Sequence, residues 1–202
     1  QMCIRDRLDS VFLWQSGNKY RVSAHDADMK ETEAIYGQTD SGMTIIEGHL
    51  FLNGKKPIQH RSSYGLGEVI KAALDNHTEH LVISLGGIGS FDGGAGMLQA
   101  LGATFYDDEA QIVDMRKGAY LIKYIRRIDL SGVHPQLTKV NIQLMSDFSS
   151  RLYGKKSEIM QTYESLDLSQ NEAAEIDNLI WYFSELFKNE LKIAMGPIER
   201  GG

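Results

Sequence analysis

The sequence predicts an α/β fold, and three observations carry that expectation. First, the short apolar run at residues 81–85 leads into a cluster of glycines, after which Met97, Leu98, Ala100 and Leu101 take up helical spacing. A brief apolar run bounded by turn residues reads as a buried strand. Second, Val69, Ile70, Ala73 and Leu74 lie on one helical face just upstream. Third, Ala173, Ile176, Leu179, Ile180, Phe183, Leu186 and Phe187 form one stripe over residues 171–188, with Glu172, Glu175 and Asp177 near its positive N-terminal end. Residues 66–102 thus read helix, strand, glycine loop, helix, the alternation of an α/β unit.

The remaining elements follow from local pattern. Residues 19–24 (KYRVSA) alternate and predict a strand, as do residues 32–36 and 43–47, with Thr39-Asp40-Ser41-Gly42 as the turn between the last two. Together they suggest a small antiparallel set. Residues 51–61 hold Asn53-Gly54 and Pro57 and read as loop. Ser63 is placed to cap the helix beginning near Leu66, with Glu68 in its first turn, and Gly102 to stop the helix after the glycine loop. Residues 104–106 and 111–113 are expected to pair around Asp107-Asp108-Glu109. Residues 120–128 read as helix more than strand, and residues 140–145 as a strand ending at Ser146-Asp147.

Composition narrows the function. The chain has 202 residues, 42% of them hydrophobic, enough apolar mass for a packed core. A formal net charge of -6 argues against a nucleic-acid-binding face, which must neutralise phosphates with clustered Lys and Arg. It leaves room for a small phosphorylated ligand held by a few local donors. No apolar run approaches the roughly 20 residues that span a bilayer, and the single cysteine, Cys3, suits a reducing, cytoplasmic setting. Residues 1–15 read as a non-native or frayed segment, and residues 16–202 as one α/β domain without a dividing linker. His49, His60, His77, His80 and His134 show no metal-ligand spacing and read as surface residues.

The chemistry concentrates in Gly86-Gly87-Ile88-Gly89-Ser90-Phe91-Asp92-Gly93-Gly94-Ala95-Gly96. A glycine turn between strand and helix offers backbone N–H groups to an anion. No Lys-Ser or Lys-Thr follows, so it is not a Walker A loop, and the glycine spacing disfavours a dinucleotide fingerprint. Asp92 is out of place beside a phosphate unless a cation bridges the two or the carboxylate takes a hydroxyl proton. The alternative is that Asp92 caps the next helix.

These residues carry a resemblance. Leu85-Gly86-Gly87, then Asp92-Gly93-Gly94-Ala95-Gly96-Met97-Leu98-Gln99-Ala100-Leu101-Gly102-Ala103, resembles the signature of the bacterial glycerate kinases, which act on D-glycerate with ATP. Flanking segments agree in order: Thr44-Ile45-Ile46-Glu47, Ser62-Ser63-Tyr64-Gly65-Leu66-Gly67-Glu68, and Ile128-Asp129-Leu130-Ser131-Gly132. The resemblance runs from about residue 16 onward. It implies an α/β domain inserted in a two-domain glycerate kinase, with both ends cut and most of a Rossmann-like domain missing, so that the chain by itself is expected to be inactive. It implies Asp92 and Asp147 as catalytic carboxylates and Asp92 as a ligand of Mg²⁺. It further implies Gly86, Gly87, Ser90, Gly93, Gly94, Ser63, Gly65, Gly67 and Glu47 as substrate- or phosphate-binding residues, with ATP and Mg²⁺ as cofactors and glycerate as substrate.

Departures from the family pattern bear on activity. The family's Ser-Ala-Thr-Asn becomes Ile88-Gly89-Ser90-Phe91, which leaves Ser90 as the one polar substitute. A Lys-bearing segment is replaced near residues 160–166 by one without Lys, and Cys-Asp-Val-x-Asn-Pro-Leu becomes Ser146-Asp147-Phe148-Ser149-Ser150-Arg151-Leu152. The expectation is ATP-dependent phosphorylation of glycerate. The alternative is a catalytically impaired paralogue that binds a small hydroxy-acid or phosphate.

Overall fold

The computed structural model describes residues 16–85, 89–146 and 150–191. Five strands form a mixed sheet: β1 (Gly17–His25), β2 (Glu31–Thr39), β3 (Met43–Glu47), β4 (His80–Ser84) and β7 (Asn141–Met145), side by side in that order. β1, β2 and β3 run antiparallel, and β4 and β7 continue the sheet in parallel to β3. The antiparallel set expected from alternation is therefore one flank of the larger sheet. The turn closing β2 onto β3 uses Gly42 at φ 83°, with its amide bonded to the Thr39 carbonyl.

The crossover from β3 to parallel β4 is made by α1 (His49–Leu52), a 3₁₀ turn at Ile58–His60 and α2 (Tyr64–Asp75). The stretch expected to be plain loop thus contains two helical pieces. Leu66, Val69, Ile70, Ala73 and Leu74 of α2 bury their stripe against Ala24, Ala34, Tyr36, Ile46, Leu81 and Ile83 of the sheet. Burying each larger aliphatic side chain contributes about 1.5–3 kcal/mol. Glu68 is not in the first turn of α2; it accepts from the His25 amide and faces its ring, tying the helix to the end of β1. His134, expected on the surface, instead reaches the Asp75 carboxylate at 3.0 Å.

From β4 the chain passes through the glycine loop into α3 (Ala95–Ala100), which Gly102 ends at φ 108°. A two-stranded ribbon follows, β5 (Thr104–Tyr106) against β6 (Arg127–Asp129). The expected pairing of residues 104–106 with 111–113 is present on the edge of β5 opposite β6, as a bridge from Tyr106 to Ile112 with the Val113 amide donating to the Phe105 carbonyl and the Asp107 amide to the Gln111 carbonyl. Residues 119–124 are 3₁₀ helix before β6 begins, so the helix expected over 120–128 is realised in its first half. α4 (Glu158–Thr162) and the long α5 (Gln170–Leu191) complete the described chain.

The stripe of α5 serves two cores at once. Phe183 and Phe187 pack into a cluster with Phe105, Met115, Ile122 and Ile128, while Ile176 and Ile180 pack with Ile58, Phe91 and Ile159. Phe183 stacks edge-on to both Phe105 and Phe187, with ring centroids 5.7 and 4.9 Å apart. The α5 N-terminus is closed by a capping box: Ser169 accepts from the Glu172 amide, and Glu172 accepts from the Ser169 amide at 2.8 Å and hydroxyl at 2.6 Å.

Candidate functional site

The parallel half of the sheet positions the site. Glu47 is in register with Ser84, and Ser84 with Met145, so β3, β4 and β7 end level with one another. In open α/β sheets the crevice beyond such carboxyl ends receives ligands. Gly86, Gly87 and Asp147, three of the residues singled out from the sequence, lie outside the described residues. The strands that lead into them end side by side. Glu47 is buried at the end of β3.

Asp92 is the best-anchored carboxylate of the region. It is 1% exposed, and its Oδ2 accepts from the Ser63 amide at 2.8 Å, the Ser63 hydroxyl at 2.9 Å and the Gly96 amide at 3.1 Å. Its Oδ1 accepts from the Gly94 amide at 3.1 Å, and its carbonyl from the Ala95 amide. Ser63 completes the arrangement, its hydroxyl accepting from the Met97 amide at 2.9 Å. The first-turn amides of α3 are therefore spent inside the protein. Asp92 ties the start of α2 to the start of α3. Ser63 precedes α2, as expected, but its hydroxyl serves α3 and makes no cap bond to its own helix.

Four hydrogen-bond donors converging on one carboxylate also bear on the Mg²⁺ role expected of it. Every donor turns a positive hydrogen toward the oxygens, and among the described residues no group of three or more His, Cys, Asp or Glu side chains could hold a metal. Oδ2 takes three of these bonds and Oδ1 one, so Oδ1 is the oxygen that keeps an open acceptor position, and the proposed Mg²⁺ role of Asp92 rests on it.

The glycines divide by the reason they are glycine. Gly93 and Gly94 have φ of 60° and 80°, conformations that cost a side-chain-bearing residue. A Cβ on Gly93 would also stand 3.2 Å from the Phe183 ring, so α5 packs directly beneath the loop. Gly65 and Gly67 answer to packing: a Cβ on Gly65 would strike the His25 carbonyl, and one on Gly67 the Met97 carbonyl. Gly89 is pressed between Asn53, the Leu52 carbonyl and Arg61, whose guanidinium donates to the Gly89 carbonyl at 3.0 Å.

A cavity of about 310 Å³ opens beside the loop. Of the residues singled out from the sequence, Ser63, Ser90, Asp92, Gly93 and Gly94 line it; Glu47, Gly65 and Gly67 do not. Ser90 is 7% exposed, and its hydroxyl has no hydrogen-bond partner among the described residues. An unpaired buried hydroxyl costs about 1–3 kcal/mol, and the Ser90 oxygen is itself closed off, so a bound polar group would meet it only after the side chain turns. Sequence reasoning missed the rest of the wall. Phe91 is swallowed by the cluster of Ile58, Ile159, Ile176 and Ile180, which explains an aromatic residue in a glycine loop. Arg151 and Glu158 reach the rim from the segment before α4 and from its first residue. Arg151 stood beside Asp147 in the altered family segment, the one signal that could have found it.

The arrangement defines a class of protein: an α/β domain whose glycine loop, at the carboxyl ends of parallel strands, opens onto a small-molecule-sized cavity. The chain belongs to the glycerate kinase family, for the model of the "Glycerate kinase family" matches residues 8–201. It is 29% identical over 177 residues to the glycerate kinase of Halalkalibacterium halodurans, an alignment covering 84% of this chain and 46% of that protein. It is 33% identical to the Bacillus subtilis glycerate kinase over 61% of this chain and 34% of that one. It is 29% identical to Escherichia coli K12 glycerate 2-kinase over 70% of this chain and 36% of the relative. A crystal structure described as glycerate kinase 2 of Salmonella typhimurium LT2 superposes with a TM-score of 0.88 at 24% identity, over 96% of this chain and 54% of that chain, a likeness that speaks to fold. The chain spans about half the length of the H. halodurans relative it matches.

Proposed function

We propose that the gene product containing this chain phosphorylates a hydroxyl of D-glycerate with ATP, and that the cavity beside Ser90 is where the acid binds. Family membership supports the reaction, and the cavity beside the glycine loop, lined by Ser90, Gly93 and Gly94, carries the site. In the transfer, the bond between the γ-phosphorus and the ADP oxygen breaks, a bond from that phosphorus to the glycerate oxygen forms, and the hydroxyl proton passes to a carboxylate. Asp147 is the residue proposed to receive it. Asp92 is proposed as a positioning residue that fixes Ser63 and the Gly93-Gly94 turn, since its oxygens are already engaged. Glu47, Gly65, Gly67, Gly86 and Gly87 remain proposed members of the site on family resemblance; the first three stand back from the cavity wall. ATP and Mg²⁺ accompany the reaction as phosphoryl donor and its ion. A cytoplasmic setting fits the single cysteine.

The reading is tested by ADP release from the gene product, which is expected to depend on D-glycerate. A second reading, a binding protein without turnover, is favoured by one observation: Phe91, buried against Ile159, Ile176 and Ile180, stands in the segment that departs from the family's Ser-Ala-Thr-Asn pattern. It predicts that D-glycerate raises the melting temperature while releasing no ADP. The 202-residue chain alone is expected to release none in either case.

A further inference from the structure

We infer that Arg151 is the residue that recognises the charge of the acid, its guanidinium meeting the substrate carboxylate at the rim of the cavity. The inference rests on the proposal that the acid binds in this cavity, and it names the group that selects an anion there. A carboxylate entering a largely apolar pocket leaves water at a large cost unless an opposite charge meets it. Among the described residues that line the cavity, three carry charge: Asp92, Arg151 and Glu158. Two are carboxylates and repel an acid; Arg151 is the one cation. The first-turn amides of α3, the donors a glycine loop would otherwise offer, are turned toward Asp92 and Ser63. Arg151 itself is exposed, while its backbone is held. Its amide donates to the Lys156 carbonyl at 3.1 Å, and it bridges to Ser157. Asp177 fastens the turn between them to α5, its carboxylate accepting from the Gly154 amide and the Ser157 hydroxyl. A long side chain on a fixed root can swing to a ligand at the rim without moving the fold. The planar fork of arginine then matches a carboxylate with two parallel hydrogen bonds. Arg151 stands where the family pattern has proline, and the Lys-bearing segment of that pattern is replaced near residues 160–166 by one without Lys. The chain that lacks one cation thus carries another beside the loop.

The test compares the gene product with its Arg151→Gln and Arg151→Lys variants, using D-glycerate and its uncharged amide, with binding followed by calorimetry and turnover by ADP release. Arg151→Gln is expected to weaken D-glycerate by roughly ten- to a hundredfold, the worth of hydrogen bonds to a charged group. It is expected to leave the amide, the KM for ATP and the melting temperature unchanged. Arg151→Lys keeps the charge and loses the fork, so its affinity for the acid is expected to fall between the two. Unchanged D-glycerate binding in Arg151→Gln overturns the inference and leaves the phosphorylation proposal standing. So does equal weakening of the acid and its amide, or a rise in the KM for ATP with the acid unaffected. If Arg151→Gln melts lower, Arg151→Lys decides: weakening of the acid without the amide upholds the inference, and no weakening overturns it. Weakened acid binding in Arg151→Gln, with no ADP released by the unsubstituted protein, upholds the inference and removes the kinase reading. Failure of the unsubstituted protein to bind D-glycerate overturns both.

Discussion

Asp92 and Ser63, 29 residues apart, are joined twice: the Asp92 Oδ2 accepts from both the amide and the hydroxyl of Ser63, at 2.8 and 2.9 Å. The pair closes the starts of two helices on one carboxylate and places the Gly93-Gly94 turn beside the cavity. A loss of activity on changing Asp92 would therefore report on structure as much as on chemistry.

Asp92→Ala is expected to destabilise the fold by about 1–3 kcal/mol or more, because it leaves buried donors on Ser63, Gly94 and Gly96 without an acceptor. Asp92→Asn keeps the shape but turns an amide N–H toward some of those donors, and is expected to destabilise too. Chemical denaturation checks both. A direct catalytic role would instead show as unchanged stability with lost turnover.

Gly67→Ala drives a Cβ into the Met97 carbonyl, where backbone cannot yield, and separates α2 from α3. A cost of about 1–3 kcal/mol is expected. Gly154→Ala is the comparison: φ is 92° but nothing lies within 4 Å, so only the backbone preference, about 1–2 kcal/mol, is at stake. Thermal melts of the two variants separate steric clash from conformational strain.

Phe183→Ala removes the ring that packs on Phe105 and Phe187 and stands where a Cβ on Gly93 would point. A loss of about 3–5 kcal/mol is expected for a buried aromatic of this kind. Ligand binding is expected to weaken beyond what the stability loss explains, because the ring is the floor under the turn.

The capping box gives a pH dependence. Hydrogen bonds from the Ser169 hydroxyl and then its amide hold the Glu172 carboxyl below its ordinary value. A lowered folded value means the stabilisation is present above the ordinary glutamate range and is lost as pH falls through the lowered one. Glu172→Gln is expected to remove that acid-side dependence while keeping the α5 helix, as followed by helical circular dichroism from neutral pH down through and below the ordinary glutamate range.

Much of this architecture was legible in the sequence. The strands at residues 19–24, 32–36 and 43–47, the β4 run, the stop at Gly102 and the α5 stripe follow from period and punctuation, which are local properties. What was not legible depended on partners distant in the chain. Asp92 as a clamp needs Ser63, and Gly65 and Gly67 as contact points need His25 and Met97. Phe91 reads as an anomaly in a glycine loop until Ile159, Ile176 and Ile180 fold over it. β6 joins β5 on the edge opposite residues 111–113 because residues 119–128 return beside it, which no local pattern announces.

Ser90→Ala in the gene product tests the site most directly. Removing a buried, unpaired hydroxyl is expected to leave the melting temperature unchanged or raised. If that hydroxyl serves the bound acid, kcat/KM for glycerate-dependent ADP release falls by roughly ten- to a hundredfold, the worth of a hydrogen bond to a charged group. A Ser90→Ala protein with unchanged kcat/KM would contradict the account.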